Sequence, residues 1–338
     1  MEEYFMLKIE MTTNPNLLDM YREMNLREAL DSDKQSELYR LERGASGEKK
    51  VIEYLVEFGL DHWEVLTNLW LYEYGLFEID CLLLTETDIY LFEIKNYNGD
   101  FKYVNSQCYF SDDVISHNPI SQTQRCKVNL QNILSAADMQ VPVHGNLVFT
   151  GEHADIDIHD YIEDLNVLTI NQLRKLIYSI ANNEQIKLDT SKRKLNRTKI
   201  LRIIERAKRK SPYQPQPLRM VEQANLRKGI KCSKCASFNL NTARSFISCK
   251  CGLHEPREMA IVRTICEYGM LNFDKDIRVA DLCNFFNGDL SRITITNYLN
   301  SYFIKKELQK GLVFINPAKN FNDLIHTFSF KRDRYIMF

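Results

Sequence analysis

Several features are missing from this sequence of 338 residues, and each absence excludes a class of protein. No stretch approaches the roughly 18 uncharged apolar residues that indicate a membrane-spanning helix, so we predict no membrane span. The N-terminal MEEYFMLKIE is acidic and lacks the basic, apolar and small-residue layout of a signal peptide, so we expect a cytoplasmic protein. There is no G-x-x-x-x-G-K-S/T loop to indicate a nucleotide cofactor, no internal repeat and no low-complexity tract.

Net charge and cysteine pairing are equally uninformative at the level of the whole chain. The formal net charge is −1, so overall charge does not indicate a polyanion binder, and local charge has to decide. Nine cysteines, an odd number without a signal sequence, do not suggest a disulfide framework. Four of them crowd between residues 232 and 251, whereas Cys81, Cys126, Cys266 and Cys283 are interpreted as ordinary packed cysteines.

The order of apolar patterns predicts an α/β layer arrangement that ends near residue 187. We expect helices over residues 15–40, 44–58 and from Asn118-Pro119 to about 137, and strands over 62–70, 77–85, 89–97 and 141–151. The strands at 77–85 and 89–97 are separated by ETD and should form a hairpin, and FKYV and QCYF should form a second short pair.

The strand IYLFEIK carries two charges where a buried strand should be apolar. Side chains alternate along a strand, so Ile89, Leu91, Glu93 and Lys95 share one face. An unpaired buried charge costs several kcal/mol, so the two charges need an explanation. The simplest is a Glu–Lys ion pair at a fraying strand end.

Asp80, in FEIDCLLLT, is a second carboxylate out of place in a core strand. If the two strands pair around ETD, Asp80 and Glu93 are near register partners. Like charges side by side are unfavourable unless a proton or a cation lies between them, and a hard divalent cation prefers such oxygens.

A third carboxylate comes from the preceding helix. Glu48 lies in line with the apolar residues Val51, Ile52 and Leu55, and the glycines at positions 44 and 47 would let this helix approach the sheet closely. The alternative is an exposed glutamate favoured in a first turn by the helix dipole.

This set of residue types suits phosphodiester hydrolysis, which needs charge neutralisation and an activated water. Asp80 and Glu93 would hold Mg²⁺ (or Mn²⁺), with the Ile94 carbonyl as a further candidate ligand. Glu48 would bind the metal directly or through water. Lys95 would orient the attacking water or stabilise the charge that develops on the phosphorus oxygens.

At these residues the sequence resembles the nuclease-related domain (NERD) proteins of the PD-(D/E)xK restriction-endonuclease-like superfamily. The resemblance covers about residues 42–152 and rests on GASGE (44–48), EID (78–80), EIKNY (93–97) with Gly99, NPISQ (118–122) and LVFT (147–150). It implies a restriction-endonuclease-like mixed sheet flanked by helices. It also implies Asp80, Glu93 and Lys95 as the catalytic set, supported by Glu48 and by Gln122, which would contact phosphate or hold Lys95. For Gln122, a plain polar residue at a helix start is the alternative. Ile79 stands where the superfamily name has proline.

The four clustered cysteines have the spacing of a zinc ribbon. Cys232-x2-Cys235 and Cys249-x-Cys251 are separated by 13 residues, and a loop this small needs a metal to supply its folding energy. The second pair is one residue shorter than the usual C-x2-C, so His254 is an alternative ligand to Cys249 or Cys251. Two unrelated reduced pairs are the alternative to zinc.

Two later segments leave alternatives open. Residues 191–210 contain ten basic residues and one acidic residue, Glu205, and are either a solvated amphipathic helix or a phosphate-contacting surface. Residues 279–306 could be a helix-turn-helix that presents Arg292, Thr294 and Asn297 to a groove. We favour a compact packing unit, with Ser291 as N-cap and an apolar set of Phe285, Phe286, Ile293, Ile295, Tyr298, Leu299 and Phe303.

The sequence therefore predicts five segments: an N-terminal helical extension (1–41), the nuclease-like domain (42–187), a basic helix and linker (188–228), a zinc ribbon (229–256) and a C-terminal helical module (257–338). We expect a Mg²⁺-dependent DNA nuclease with a structural Zn²⁺. From the resemblance, its expected setting is bacterial DNA processing or defence against foreign DNA. A non-catalytic nucleic-acid-binding protein and a zinc-ribbon interaction scaffold are the alternatives, and a homodimer or an unidentified protein partner stays open.

Overall fold

The computed structural model of the chain describes residues 8–11, 17–111, 113–191, 194–308 and 311–324. Contacts divide the chain into two compact units, residues 1–13 with 40–212 and residues 14–39 with 213–338. The five-segment division stays a prediction. The start of the N-terminal extension, two basic residues at 192–193 and the end of the C-terminal module lie outside the described residues.

Helices and strands alternate along the described part of the chain. The helices there are α1 (Leu17–Leu26), α2 (Ser32–Phe58), α3 (Pro119–Ser135), α4 (Ile170–Ser191), α5 (Arg197–Ala207), α6 (Met220–Asn225), α7 (Arg257–Leu271), α8 (Val279–Phe285), α9 (Arg292–Tyr302) and α10 (Phe321–Leu324). The strands there are β1 (Lys8–Met11), β2 (Glu64–Tyr72), β3 (Leu76–Leu84), β4 (Ile89–Lys95), β5 (Gly99–Val104), β6 (Gln107–Phe110), β7 (Asp113–Val114), β8 (Val143–Phe149), β9 (Ala154–Ile158), β10 (Leu165–Thr169), β11 (Leu240–Thr242), β12 (Phe246–Cys249), β13 (His254–Pro256), β14 (Lys305–Leu308) and β15 (Gly311–Phe314).

The first unit is built on a six-stranded sheet in the order β1-β2-β3-β4-β8-β10. Strands β2, β3 and β4 are antiparallel, and the other neighbours are parallel. Apolar residues of α3 and α5 pack on one face and those of α2 and α4 on the other. The predicted α/β class, a mixed sheet flanked by helices, is confirmed. A second sheet, β7-β6-β5-β9, contains the short pair predicted at FKYV and QCYF.

Burial on both faces explains the apolar run of β4. Leu91 packs into the core formed with α3 and α5, and Phe92 packs into the core formed with α2 and α4. Each is fully buried and contributes on the order of 1.5–3 kcal/mol of hydrophobic stabilisation. Only residues beyond Phe92, at the carboxyl end of the strand, are available for polar chemistry.

The turn between β3 and β4 fixes their register. The backbone N–H of Thr85 donates to the Asp88 carbonyl over 3.0 Å, and the Thr85 hydroxyl oxygen accepts from the N–H groups of Thr87 and Asp88. Cys81 then lies opposite Phe92, which confirms the predicted hairpin. Continuing this register by one residue places Asp80 beside Glu93.

Helix α3 begins where the sequence predicts. The Asn118 side chain accepts hydrogen bonds from the N–H groups of Ile120 and Ser121, and Pro119 occupies the first turn, where its missing N–H costs nothing. The first turn of α3 thereby fixes the position of Gln122.

The predicted helix boundaries before residue 58 are wrong. The chain has a break after Leu26, where Glu28 has φ +61°, and α2 then runs without interruption through residues 41–43. The patterns at 15–40 and 44–58 therefore belong to two helices divided at a different place. A left-handed residue ends a helix, whereas Gly44 inside a helix only weakens it.

The second unit combines a small three-stranded antiparallel sheet, β11-β12-β13, with helices α1 and α6–α10 and a β14–β15 hairpin. Helix α7 is buried along almost its whole length from Ala260 to Leu271. An isolated bridge joins Ile277 to Phe314 at the hairpin. No helix in the described ranges of the chain is long and apolar enough to cross a bilayer.

Candidate functional site

The carboxyl end of β4 and the facing part of β3 bring together the first pair of predicted site residues. Asp80 Oδ2 accepts a hydrogen bond of 2.7 Å from the backbone N–H of Ile94. The side chain thus joins the two strands just beyond the last paired residues, Cys81 and Phe92. Ile94 contributes its N–H here, and its carbonyl as a metal ligand stays a prediction.

Glu93 and Lys95 form an ion pair, with 2.7 Å between Lys95 Nζ and Glu93 Oε1. The Glu93 side chain is buried, with about 1% of the residue exposed. Burial first, and the charge of Asp80 second, raise the pKa of Glu93 to about 7. Burial alone would lower the pKa of Lys95, but the charges of Glu93 and Asp80 raise it, so the ammonium stays protonated.

Gln122 reaches the same lysine from α3. Its Oε1 lies 3.4 Å from Lys95 Nζ, a long contact that orients the ammonium between Gln122 and Glu93. The structure therefore places Gln122 against Lys95, one of the two roles that the resemblance implies. Its contact with phosphate stays a prediction.

Glu48 comes from α2, and only one of the two glycines before it explains how close the helix lies. A Cβ on Gly47 would lie 2.7 Å from Thr150 Oγ1 and 3.0 Å from Asn96 Cβ, so this position requires glycine. A Cβ on Gly44 would meet nothing within 4 Å, so the expectation for Gly44 is wrong. Burial and the charge of Asp80 raise the pKa of Glu48 to about 7.

Glu78 is a further carboxylate of this site to which the sequence analysis assigns no role. Burial, followed by the charges of Asp80, Glu48 and Glu93, raises its pKa to about 8. Trp70 is the cross-strand partner of Glu78, and a hydrogen bond from its side chain lowers the pKa of Glu78. The signal was visible, because Glu78 and Asp80 are two residues apart on one strand.

The direction of Glu78 and Asp80 depends on a backbone irregularity that the sequence pattern does not reveal. Asn68 has φ +53° and interrupts the pairing of β2 with β3 opposite Asp80. Strict alternation would place Leu82 and Ile79 on opposite faces, yet both belong to the core under α3 and α5. The alternation therefore shifts at this point, and Asp80 lies where it interacts with Glu48 of α2.

The first unit thus gathers four carboxylates with raised pKa values, of which Asp80 and Glu93 also interact with Lys95. We call Glu48, Glu78, Asp80, Glu93 and Lys95 the acidic cluster. Burial is the largest cause for each carboxylate, and mutual repulsion contributes to the raised values of Glu48, Glu78 and Glu93. An excess of hard oxygen donors is the donor set that a divalent cation prefers.

The carboxylates of the acidic cluster do not form a compact coordination shell. Glu93 Oε1 is occupied by Lys95, and Asp80 Oδ2 by the N–H of Ile94. Among the residues that the structure describes, only the four cysteines bring three or more metal-ligating side chains close together. The donor types of the acidic cluster fit Mg²⁺ or Mn²⁺, and Glu93 Oε1 would bind the cation only after exchange of Lys95.

The four cysteines of the second unit form a compact metal site. The sulfurs of Cys232, Cys235, Cys249 and Cys251 all lie within 4.8 Å of one another. The Cys232–Cys251 and Cys235–Cys249 sulfur distances are 3.6 and 3.5 Å. Tetrahedral Zn²⁺ with Zn–S bonds of about 2.3 Å requires sulfurs about 3.8 Å apart. The cluster is compatible with a zinc ribbon, and its donor set fits Zn²⁺.

The shortened second pair does not require a histidine. Gly252, with φ +89°, follows Cys251, and the Gly252 N–H donates to the Cys249 carbonyl, so a tight turn brings both sulfurs inward. The His254 ring instead stacks on Phe246, with 4.6 Å between ring centroids. His254 is not a member of the cysteine cluster.

The C-terminal helices α8 and α9 have features of a compact packing unit and of a helix-turn-helix. Phe285, Phe286, Ile295, Leu299 and Phe303 are buried and Tyr298 is half-buried, as a packing unit requires. Ile293 is 75% exposed, so its assignment to the core is wrong. Arg292 and Asn297 are exposed, but the Thr294 hydroxyl lies 2.8 Å from that of Ser291, whose oxygen caps α9.

Comparison with known proteins assigns a family to one part of the chain. Residues 43–150, about a third of the sequence, match the model of the NERD family, the nuclease-related domain. The match contains all five predicted site residues of the first unit and ends before the cysteine cluster. Such a domain indicates a nuclease-related function and an interaction with nucleic acid. No curated protein and no solved structure matches the chain significantly.

Proposed function

Because residues 43–150 are a nuclease-related domain, we propose that the protein is a metal-dependent nuclease that hydrolyses phosphodiester bonds in DNA. One observation carries the proposal: a chain of interactions connects Glu48 of a helix to Asp80, and Asp80 to Glu93 and Lys95 on the neighbouring strand. An excess of buried carboxylates is costly to a fold and is typical of functional sites.

Asp80, Glu93 and Glu48 would hold Mg²⁺ or Mn²⁺. The cation would neutralise phosphate charge and favour ionisation of a bound water. Lys95 Nζ would then donate hydrogen bonds to the attacking water or to a phosphate oxygen as negative charge develops. Gln122 would keep the ammonium in position once Glu93 exchanges Lys95 for the metal. Glu78, with its pKa near 8, would accept or release a proton close to neutral pH.

The second unit lies outside the matched residues, and its role is part of the proposal. Structural Zn²⁺ at the four cysteines would stabilise the second unit, and that unit would position nucleic acid. Bacterial DNA processing or defence against foreign DNA is the proposed setting, and the cytoplasmic location stays a prediction. A homodimer or a protein partner also stays a prediction.

The test is cleavage of plasmid and single-stranded DNA with Mg²⁺ or Mn²⁺ by the full chain. Lys95→Ala and Asp80→Ala are each expected to lower the rate at least about a hundredfold, because each removes a group that contacts metal or transition state. Lys49→Ala is the matched control, since Lys49 is exposed on α2 and forms an ion pair with the exposed Glu53. It should retain the wild-type rate within about twofold.

Folding and zinc content must be unchanged in every variant for the comparison to hold. Equal trace activity in wild type, Lys95→Ala and Asp80→Ala would mean contamination and would refute the nuclease. Salt-dependent DNA binding without cleavage would then favour the non-catalytic binding protein. Absence of both would favour the interaction scaffold.

A further inference from the structure

The hairpin of β2 and β3 projects three apolar side chains into solvent beside the acidic cluster. Tyr72 is 53% exposed, Tyr74 is 89% exposed and Leu76 is 42% exposed. Tyr72 and Leu76 are cross-strand partners, and Tyr74 lies in the turn with φ +54°. Side chains on the other face of the hairpin, Leu71 and Phe77, are buried.

The exposed face of the hairpin is continuous with the acidic cluster. Trp70 and Tyr72 alternate onto the same face, and the partner of Trp70 is Glu78, whose carboxylate accepts a hydrogen bond from the Trp70 side chain. Two residues of a strand span about 7 Å, so Tyr72 lies one such step beyond Glu78. Tyr72 therefore lies on the surface next to the acidic cluster.

Basic residues at the end of α5 lie along the outer edge of β2. The Arg209 N–H donates to the Trp70 carbonyl over 2.7 Å, and Lys208 forms a bridge with Leu71. The Arg209 guanidinium lies 5.8 Å from the centroid of the Tyr72 ring. This edge of β2 is paired with β1 only up to Thr67. Beyond β1, the edge is continued by Lys208 and Arg209, near the end of residues 194–210, which we call the basic segment.

Some cations of the basic segment have carboxylate partners, and others are exposed near the hairpin. Lys194 and Arg197 pair with Glu86 at its start, and Lys208 pairs with Glu205 near its end. Exposed cations lie near the hairpin, namely Arg206, Arg209 and Lys210, against the acidic Glu73 in the turn. Local charge at the hairpin thus favours a polyanion.

We propose that Tyr72, Tyr74, Leu76 and Arg209 form a stacking platform for unpaired nucleotides next to the scissile phosphate. The inference rests on the proposed nuclease function and specifies its substrate class as single-stranded or locally melted nucleic acid. Exposed aromatic rings next to cations bind bases that are free to stack, whereas a duplex presents its phosphates and groove edges. DNA and RNA share this chemistry.

The test measures binding, so that it does not depend on cleavage. Fluorescence anisotropy of the full chain with labelled oligo(dT), oligo(rU) and a blunt duplex, without added Mg²⁺ or chelator, gives Kd for each probe. The double variant Tyr72→Ser/Tyr74→Ser should bind the single-stranded probes at least about tenfold more weakly, since each stacked base contributes on this scale. The duplex should bind within about twofold of wild type.

Two controls separate stacking from other effects. Tyr161→Ser removes a tyrosine that is 88% exposed elsewhere on the same unit and should leave every Kd unchanged. Tyr72→Phe/Tyr74→Phe keeps both rings and should bind as wild type does. Because both tyrosines are exposed, none of these variants should alter the circular dichroism spectrum.

Three results would overturn the platform. They are unchanged single-strand binding by the serine double variant, an equal loss for duplex and single strand, or loss of a dimer in light scattering without loss of nucleic-acid binding. The last result would assign the hairpin to a protein interface. A chain that binds single strands through the tyrosines but cleaves nothing would refute the nuclease and leave the platform standing. Comparison of oligo(dT) with oligo(rU) identifies the preferred sugar.

Discussion

A buried cluster of several charges lies in each unit of the molecule, and these two clusters differ in the balance of carboxylates and cations. The acidic cluster of the first unit has four carboxylates and one ammonium. The cluster of the second unit, which we call the balanced cluster, has three carboxylates and three cations: Glu23, Glu255 and Glu267 with Arg27, Lys231 and Arg263. Glu267 alone contacts all three cations at 2.6–2.7 Å.

The difference shows that the supply of partners, and not burial, decides what a buried charge does. Burial opposes ionisation in both places, yet Arg263, Lys231 and Arg27 hold the pKa of Glu267 at about 2, whereas the pKa of Glu78 rises to about 8. Within the balanced cluster, burial and the nearby charge of Glu267 raise the pKa of Glu23. A balanced cluster serves structure, and an unbalanced one is suited to bind a cation.

The largest expected effect comes from removal of zinc, which tests whether the balanced cluster depends on the metal site. Lys231 directly precedes Cys232, and Glu255 lies in β13 of the same small sheet. Cys235→Ser should therefore lose bound zinc and unfold much of the second unit, because metal binding supplies roughly 10–16 kcal/mol in comparable sites. Zinc content and hydrogen exchange measure this, with Cys283→Ser as the control outside the metal site. Normal protection of α1 and α7 in the zinc-free variant would contradict it.

Glu267→Gln tests the structural role of the balanced cluster directly. Removal of one partner leaves buried cations without compensation, so we expect the free energy of unfolding of the second unit to fall by about 3–5 kcal/mol. Denaturant titration monitored by hydrogen exchange measures the loss. Glu307→Gln, at an exposed position, should change it by less than about 0.5 kcal/mol. A loss below about 1 kcal/mol would mean that the cluster contributes little.

Glu78→Gln should raise the free energy of unfolding of the first unit, whereas Glu267→Gln should lower that of the second unit. Because burial and the neighbouring carboxylates raise the pKa of Glu78 to about 8, wild type must take up a proton there when it folds at pH 7.5, whereas glutamine keeps an acceptor for Trp70 and needs no proton. We therefore expect the free energy of unfolding of the first unit to rise by at least about 1 kcal/mol at pH 7.5 without Mg²⁺. Added Mg²⁺ should stabilise wild type more than the variant. The gap between their free energies of unfolding should therefore become smaller. Glu57→Gln, an exposed site on α2, is the control. Destabilisation by Glu78→Gln would show that the acidic cluster is a structural network like the other.

Alanine substitutions at the two glycines of α2 should give the smallest change in stability. They form a matched pair, because both lie in the same helix. Gly44→Ala, which meets open space in a helix interior, should stabilise the first unit by about 0.5–1 kcal/mol. Gly47→Ala should instead destabilise it and impair cleavage, because its Cβ would push the helix that carries Glu48 away from Thr150 and Asn96. Thermal melting with a cleavage assay distinguishes them. Equal stabilisation by Gly44→Ala and Gly47→Ala would show that the acidic cluster does not require α2 to lie this close to Thr150 and Asn96.

The parts of the site that the sequence predicts are those that depend on local pattern. Alternation places Glu93 and Lys95 on one face, the ETD turn places Asp80 near Glu93, and Asn118-Pro119 fixes the start of α3 before Gln122. The structure agrees with each placement. The catalytic roles of these residues stay predictions, because position alone does not show reaction.

What the sequence misses depends on long-range packing. Gly44 and Gly47 look alike in the sequence, but only Gly47 faces Thr150, a residue about 100 positions away. Ile293 has the spacing of a core residue, yet no part of the described chain covers it. Glu78 lies two residues before Asp80 in the sequence, but its interaction with Glu48 of α2 depends on packing between distant segments.

By itself the sequence determined the α/β class, the β3–β4 hairpin and the grouping of the four cysteines, because periodicity, turn residues and ligand spacing act over a few residues. Only the tertiary structure decided how the charges are shared. Asn68 shifts the alternation of β2, and Glu48 approaches from α2. Arg27 meets Glu267 across 240 residues of sequence. Whether a buried carboxylate gains a cation or another carboxylate as its neighbour is set by packing between distant segments, and that choice separates the structural cluster from the candidate active site.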